Sequence, residues 1–211
     1  LPDLGQFAIV LAVLLFSLTI HEMAHAVTAL WYGDRTAQRL GRISFNPLVH
    51  LDPVGSFLLP VMGFLAGGFI FGWAKPVPVN PLNLKSRRRD FLVIAASGPA
   101  SNIVLAVGAS LFLSAVPGGL GASEGMAGLL MTIGFAMLQL NVLLAVFNML
   151  PIPPLDGGNV LAGVLPEAIS SRYDRLVRPY GFFILILLMV TGTLSQLIGP
   201  PMSFLMGWLL P

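Results

Sequence analysis

Of the 211 residues, 56% are hydrophobic and only 9% are charged, against about a quarter charged in an ordinary soluble domain. A soluble fold of this length leaves roughly 30% of its unfolded surface exposed, so a mean hydropathy of +0.87 points to a polytopic membrane protein and excludes a soluble globule. The net charge of +2 is too small to indicate nucleic acid as a partner, and the absence of cysteine excludes disulfides and thiolate metal sites, leaving His, Asp and Glu to bind any metal.

In chain order, the apolar run over 7–32 is long enough to cross about 30 Å of hydrocarbon. It lacks a basic leader and a cleavage site and carries a His-Glu motif, so it reads as a span and not a removable signal. Gly33-Asp34 ends it, and the partly alternating stretch 36–46 predicts one or two short strands, a β-hairpin. Residues 56–73 are apolar again but interrupted by Pro60, Gly63, Gly67, Gly68 and Gly72, as in a broken crossing or a re-entrant segment. Lys75-Pro76-Val77-Pro78-Val79-Asn80-Pro81 is an extended linker, followed by the basic run Arg87-Arg88-Arg89. Further spans are expected over 91–116, 126–150 and 180–198, and the tail 201–211 is too short to cross and reads as interfacial. The fold class is thus mainly α, one domain over 1–211 with about four transmembrane helices.

Positive charge collects at 35–42, 75–89 and 172–178, while the 117–126 loop has none. Lys and Arg favour the cytoplasmic side, and all three clusters lie there only if 56–73 enters and leaves by one face. The re-entrant reading follows, with the N-terminus and the 117–126 loop outside.

The chemistry is carried by His21-Glu22-Met23-Ala24-His25. Histidines four apart share one helix face and can bind one Zn²⁺, and Glu22 is placed to deprotonate a water that the metal activates. Ionisable groups inside a span are functional by default; the plainer alternatives are a polar helix contact or a conduction path. A catalytic zinc takes three protein ligands. His25 lies roughly 12 Å from the cytoplasmic end of its helix, and Asp156, just after a span of the same direction, reaches that half. Pro151, Pro153 and Pro154 hold the backbone before it extended, and Gly157-Gly158 permits a tight turn. The rival ligand is His50, which otherwise pairs locally with Asp52. Asn102 reads as a structural polar group and Asn148 as one able to bond a substrate carbonyl.

These runs resemble the site-2 protease family of intramembrane metalloproteases, peptidase family M50. The resemblance rests on His21 to His25 and on Asn148-Met149-Leu150-Pro151-Ile152-Pro153-Pro154-Leu155-Asp156-Gly157, with support from 45–55 and Gly98-Pro99-Ala100-Ser101-Asn102. It implies one Zn²⁺ per chain on His21, His25 and Asp156, with Glu22 as general base and Asn148, Pro151, Pro153 and Pro154 lining a substrate groove. The implied reaction is cleavage of transmembrane segments of other proteins, in a bacterial cell membrane with the site toward the cytoplasm. No PDZ or CBS domain is recognisable, as in compact bacterial forms. A strand within 36–46, or the 150–154 backbone, would pair with unwound substrate, and Gly67 and Gly68 would hinge a gate. The competing classes are a metal-ion or proton transporter using the same residues, disfavoured by the lack of repeated halves, and a non-proteolytic binding protein.

Overall fold

In the computed structural model, residues 3–65, 72–117 and 124–211 are described. Helix α1 (Leu4–Trp31) begins at Asp3, whose side chain accepts from Gly5 N–H at 2.8 Å, and ends where Gly33 turns left-handed at φ 102°. Two short helices follow, α2 (Thr36–Arg39) and α3 (Leu59–Leu65). The long helices α4 (Arg87–Ala115) and α5 (Gly125–Asn148) come next. Then come α6 (Asp156–Val164), α7 (Glu167–Leu176), α8 (Gly181–Val190) and α9 (Thr193–Leu209).

By length and composition α1, α4 and α5 can each cross a membrane, and the bent pair 167–190 and 193–209 supplies up to one more. The protein is mainly helical and multi-pass. The single helix expected over 180–198 is interrupted: Gly192 adopts φ 73°, Thr191 Oγ1 bonds back to Leu187 O, and α9 leaves at 83°. The tail that reads as interfacial from its sequence is the end of α9, and Ile198, Met202, Leu205 and Met206 pack on the α4–α5 core of Ala106, Leu113, Leu138 and Val142.

The expected strands over 36–46 do not form; among the described residues the chain has no strand, and this stretch holds α2 and turns. The local cause is Asp34, whose buried carboxylate accepts from Thr36 N–H at 3.0 Å and Thr36 Oγ1 at 2.5 Å, starting a helical turn. It also accepts from Asn80 N–H and Asn83 Nδ2, each at 2.7 Å, tying the linker to the end of α1. Burial would raise this carboxyl, but the four hydrogen bonds outweigh that and hold it below its ordinary 3.8.

Residues 53–65 are helical despite their prolines and glycines, opening with a π-helical turn over Pro53–Leu58. Asp52 caps that turn through Val54 and Gly55 N–H, at 3.0 and 2.7 Å. In π register Gly55 O awaits the N–H of residue 60, which proline lacks; Trp73 N–H donates to it at 3.2 Å instead. Ser56 Oγ also donates to Trp73 O at 2.8 Å, so the two ends of 56–73 lie side by side. Gly67 and Gly68, the expected hinge, fall outside the described residues.

Candidate metal centre

Helix α1 supplies His21, Glu22 and His25, all buried. α4 packs against it through Gly98, where a side chain would collide with the imidazoles: an added Cβ would lie 2.5 Å from His25 Cε1 and 2.6 Å from His21 Nε2. Glycine is therefore required for the close approach. Pro99 follows inside α4 and has no N–H to give the Ala95 carbonyl.

The third group comes from α6. Asp156 opens that helix, seated against the end of α5 because Gly157 has no side chain to strike the Met149 and Leu150 carbonyls. Asp156 Oδ2 stands 3.1 Å from His21 Nε2 and 3.3 Å from His25 Nε2, and the two Nε2 atoms are 3.1 Å apart. Among the described residues, His21, His25 and Asp156 form the only such group able to hold a metal ion.

The far sides of both rings are anchored. His25 Nδ1 faces Ile94 O at 2.7 Å, and His21 Nδ1 faces Asn102 Oδ1 at 2.6 Å. The orientation of Asn102 is set by a chain of carboxamides. Asn141 must point its NH₂ at Met137 O (2.8 Å), where it also donates to Ser17 Oγ at 2.9 Å. Its Oδ1 therefore accepts from Asn102 Nδ2 at 2.8 Å, and Asn102 Oδ1 is left for His21. In its neutral form each ring thus carries its proton on Nδ1 and turns an Nε2 lone pair inward, where the two lone pairs and a carboxylate oxygen converge.

Three acceptors at 3.1–3.3 Å repel one another unless a cation sits among them. Zinc with bonds of about 2.0–2.1 Å has tetrahedral ligand–ligand edges of about 3.3–3.4 Å, close to the spacings here. The donor set fits a zinc ion, with a fourth position left over.

Glu22 stands outside this group, and its Oε2 accepts from Val77 N–H at 2.7 Å. His50 is buried elsewhere: its Nε2 donates to Ser44 O at 3.0 Å and not to Asp52, whose carboxylate is engaged as a helix cap. Asn148 Nδ2 donates to Leu144 O of its own helix at 3.0 Å. The proline run is not extended as expected. Ile152 N–H bonds Leu150 O at 2.7 Å and Leu155 N–H bonds Ile152 O at 3.0 Å, folding Pro151, Pro153 and Pro154 into successive turns that offer no strand edge; Tyr173 OH caps Pro151 O. A surface cavity of about 320 Å³ lined by Arg87, Arg88, Asp174 and Arg178 contains none of the three ligand candidates.

Asn141 and Arg42 have roles that reading the sequence missed. Asn141, a fully buried carboxamide in an apolar helix, carried the signal that polar groups at membrane depth are partnered for a reason. Arg42 looked like one more cytoplasmic charge, yet it is buried.

The sequence profile of peptidase family M50 matches residues 119–188. The chain is 35% identical over 191 residues to YwhC of Bacillus subtilis, covering 90% of this chain and 84% of that protein, whose name provisionally assigns it as a zinc metalloprotease. It is 33% identical over 201 residues to Rip2 of Mycolicibacterium smegmatis, similarly named, covering 93% of this chain and 72% of the relative. For Rip2 of Mycobacterium tuberculosis H37Rv the identity is 34% over 187 residues, with 88% and 67% covered. No solved structure matches. The apolar helices, the His-Glu-x-x-His motif and near full-length likeness to these proteins agree: the chain belongs to peptidase family M50, the site-2 protease family, and is a zinc metallopeptidase.

Proposed function

We propose that this protein is an intramembrane endopeptidase that cleaves transmembrane segments of other membrane proteins, with zinc on His21, His25 and Asp156 and Glu22 as general base. The observation that carries the reading is the convergence of the two Nε2 atoms and Asp156 Oδ2 within 4.8 Å, with both histidines on a helix long and apolar enough to cross a bilayer. A zinc ion bound there supplies Lewis acidity to water and to the scissile carbonyl.

The chain's residues do the rest. Asn102 and Ile94 O hold both imidazoles in the tautomer that presents Nε2. Glu22 Oε2 is held by Val77 N–H, which leaves Oε1 to take the proton from the attacking water and deliver it to the departing amine. Asn148 and the 151–154 turns lie beside Asp156 in sequence and line the substrate path. The paired ends of 56–73 support a re-entrant segment, which sets the site toward the cytoplasmic face of a bacterial cell membrane; the matched relatives are bacterial.

The test is reconstitution of wild type and Glu22→Gln with a helical transmembrane substrate, measuring zinc and cleavage together. Wild type should hold one zinc per chain and cut within the membrane segment; Glu22→Gln should hold the same zinc and lose at least about 100-fold in rate. Absence of cleavage by zinc-loaded wild type would refute the assignment.

A further inference from the structure

Arg42 is buried at 6% exposure, yet among the described residues no carboxylate pairs with it. Its guanidinium donates to three backbone carbonyls: Nη1 to Val49 O at 2.6 Å, and Nη2 to Lys75 O and, at 3.0 Å, to Pro76 O. A buried cation lacking a carboxylate is costly. Glu22 is likewise buried, and among the described residues no Lys or Arg pairs with it.

The two charges are joined through one amide. Pro76 O and Val77 N–H belong to the same planar peptide unit, and that N–H donates to Glu22 Oε2 at 2.7 Å. A cation on the oxygen of an amide draws electron density from its nitrogen and strengthens the N–H as a donor. We propose that Arg42 is a positioning residue for the reaction: it clamps and polarises the Pro76–Val77 peptide, which in turn holds Glu22 Oε2 and turns Oε1 toward the water. This rests on the reading of Glu22 as general base. Lysine cannot do the same, because its ammonium lacks the planar fork that reaches carbonyls on both the 49 and 75–76 segments. The prolines at 76 and 78 suit the role, since they fix the linker backbone around the one donor that points at Glu22.

A double-mutant cycle with a helical transmembrane substrate that wild type cleaves tests this. Arg42→Lys removes the clamp, Val77→Pro removes the N–H and leaves Arg42 and its carbonyls in place, and the pair does both. Each single variant should lose about 10-fold in kcat, with KM within about twofold and one zinc per chain retained. The double variant should fall no further than about twofold below Val77→Pro, because Arg42 acts through that N–H. Multiplied losses of about 100-fold, or a wild-type kcat in Val77→Pro, would overturn the relay. Were Arg42→Lys to misfold, a wild-type kcat in Val77→Pro would still overturn the relay, and Arg42→Gln, which keeps a donor but removes the charge and the fork, would take its place in the cycle. Wild type that holds zinc and cuts nothing would refute the protease reading instead.

Discussion

Gly98→Ala adds a single methyl to α4 and aims it at both imidazoles. The new carbon would sit 2.5 Å from His25 Cε1 and 2.6 Å from His21 Nε2, and nearer still to His25 Nε2. Carbon requires about 3.5 Å from such atoms, so the rings must withdraw by about 1 Å or the helices must separate. A zinc site tolerates about 0.2 Å. Zinc affinity should fall by more than about 100-fold, with cleavage lost in proportion. Gly108→Ala is the internal control: it lies in the same helix and its methyl meets nothing within 4 Å. That substitution should leave zinc intact and favour the helix by up to about 1 kcal/mol. The assay is metal content of purified protein after dialysis against graded chelator, with thermal unfolding in the same detergent. Wild-type zinc retention by Gly98→Ala would refute the claim that α4 touches the metal centre.

Asn102→Leu strands the His21 Nδ1 proton and the Asn141 carboxamide, and should weaken zinc about 10–100-fold while the helices remain; chelator titration reads the difference. Asp156→Ala should release zinc outright, which metal analysis would show whether or not cleavage is assayed. Asp34→Ala removes the acceptor of four hydrogen bonds and should cost about 2–3 kcal/mol, measured by denaturant unfolding, with a smaller effect on kcat than on stability. Because the folded Asp34 titrates below 3.8, its stabilisation is complete above that range and is lost as pH falls through it. The acid limb of the thermal midpoint should therefore be shallower in Asp34→Asn than in wild type.

Where one short-range rule governs, the sequence was readable. The spans α1, α4 and α5 follow from apolar length, and His21 with His25 from the four-residue helical repeat. Asp156 needed a further step, the parity of crossings, because His21 lies 135 positions away. The misreadings share a cause: competition between backbone partners. Alternation over 36–46 resembles a strand, but Asp34 accepts from both Thr36 N–H and Thr36 Oγ1, and among the described residues no strand offers a ladder. Three prolines suggest extension, but Leu150 O and Ile152 O find donors two and three residues ahead. The fourth span breaks because Gly192 can turn left-handed, which hydropathy does not register. The Asn102–Asn141–Ser17 chain joins three helices through residues ordinary in themselves, and its meaning exists only once those helices meet.

On the proposed assignment, the ligands also bear on how the chain holds together. His21 and Asp156 are separated by 135 positions, so an ion shared between them closes a loop that takes in α4 and α5. A permanent cross-link over about 100 residues is worth about 4.7 kcal/mol through the conformational freedom it removes from the unfolded chain, and a tightly held metal acts in the same direction. Stripping the ion would then do more than silence a protease. It would return that freedom to the chain and bring the helix bundle closer to its unfolding threshold.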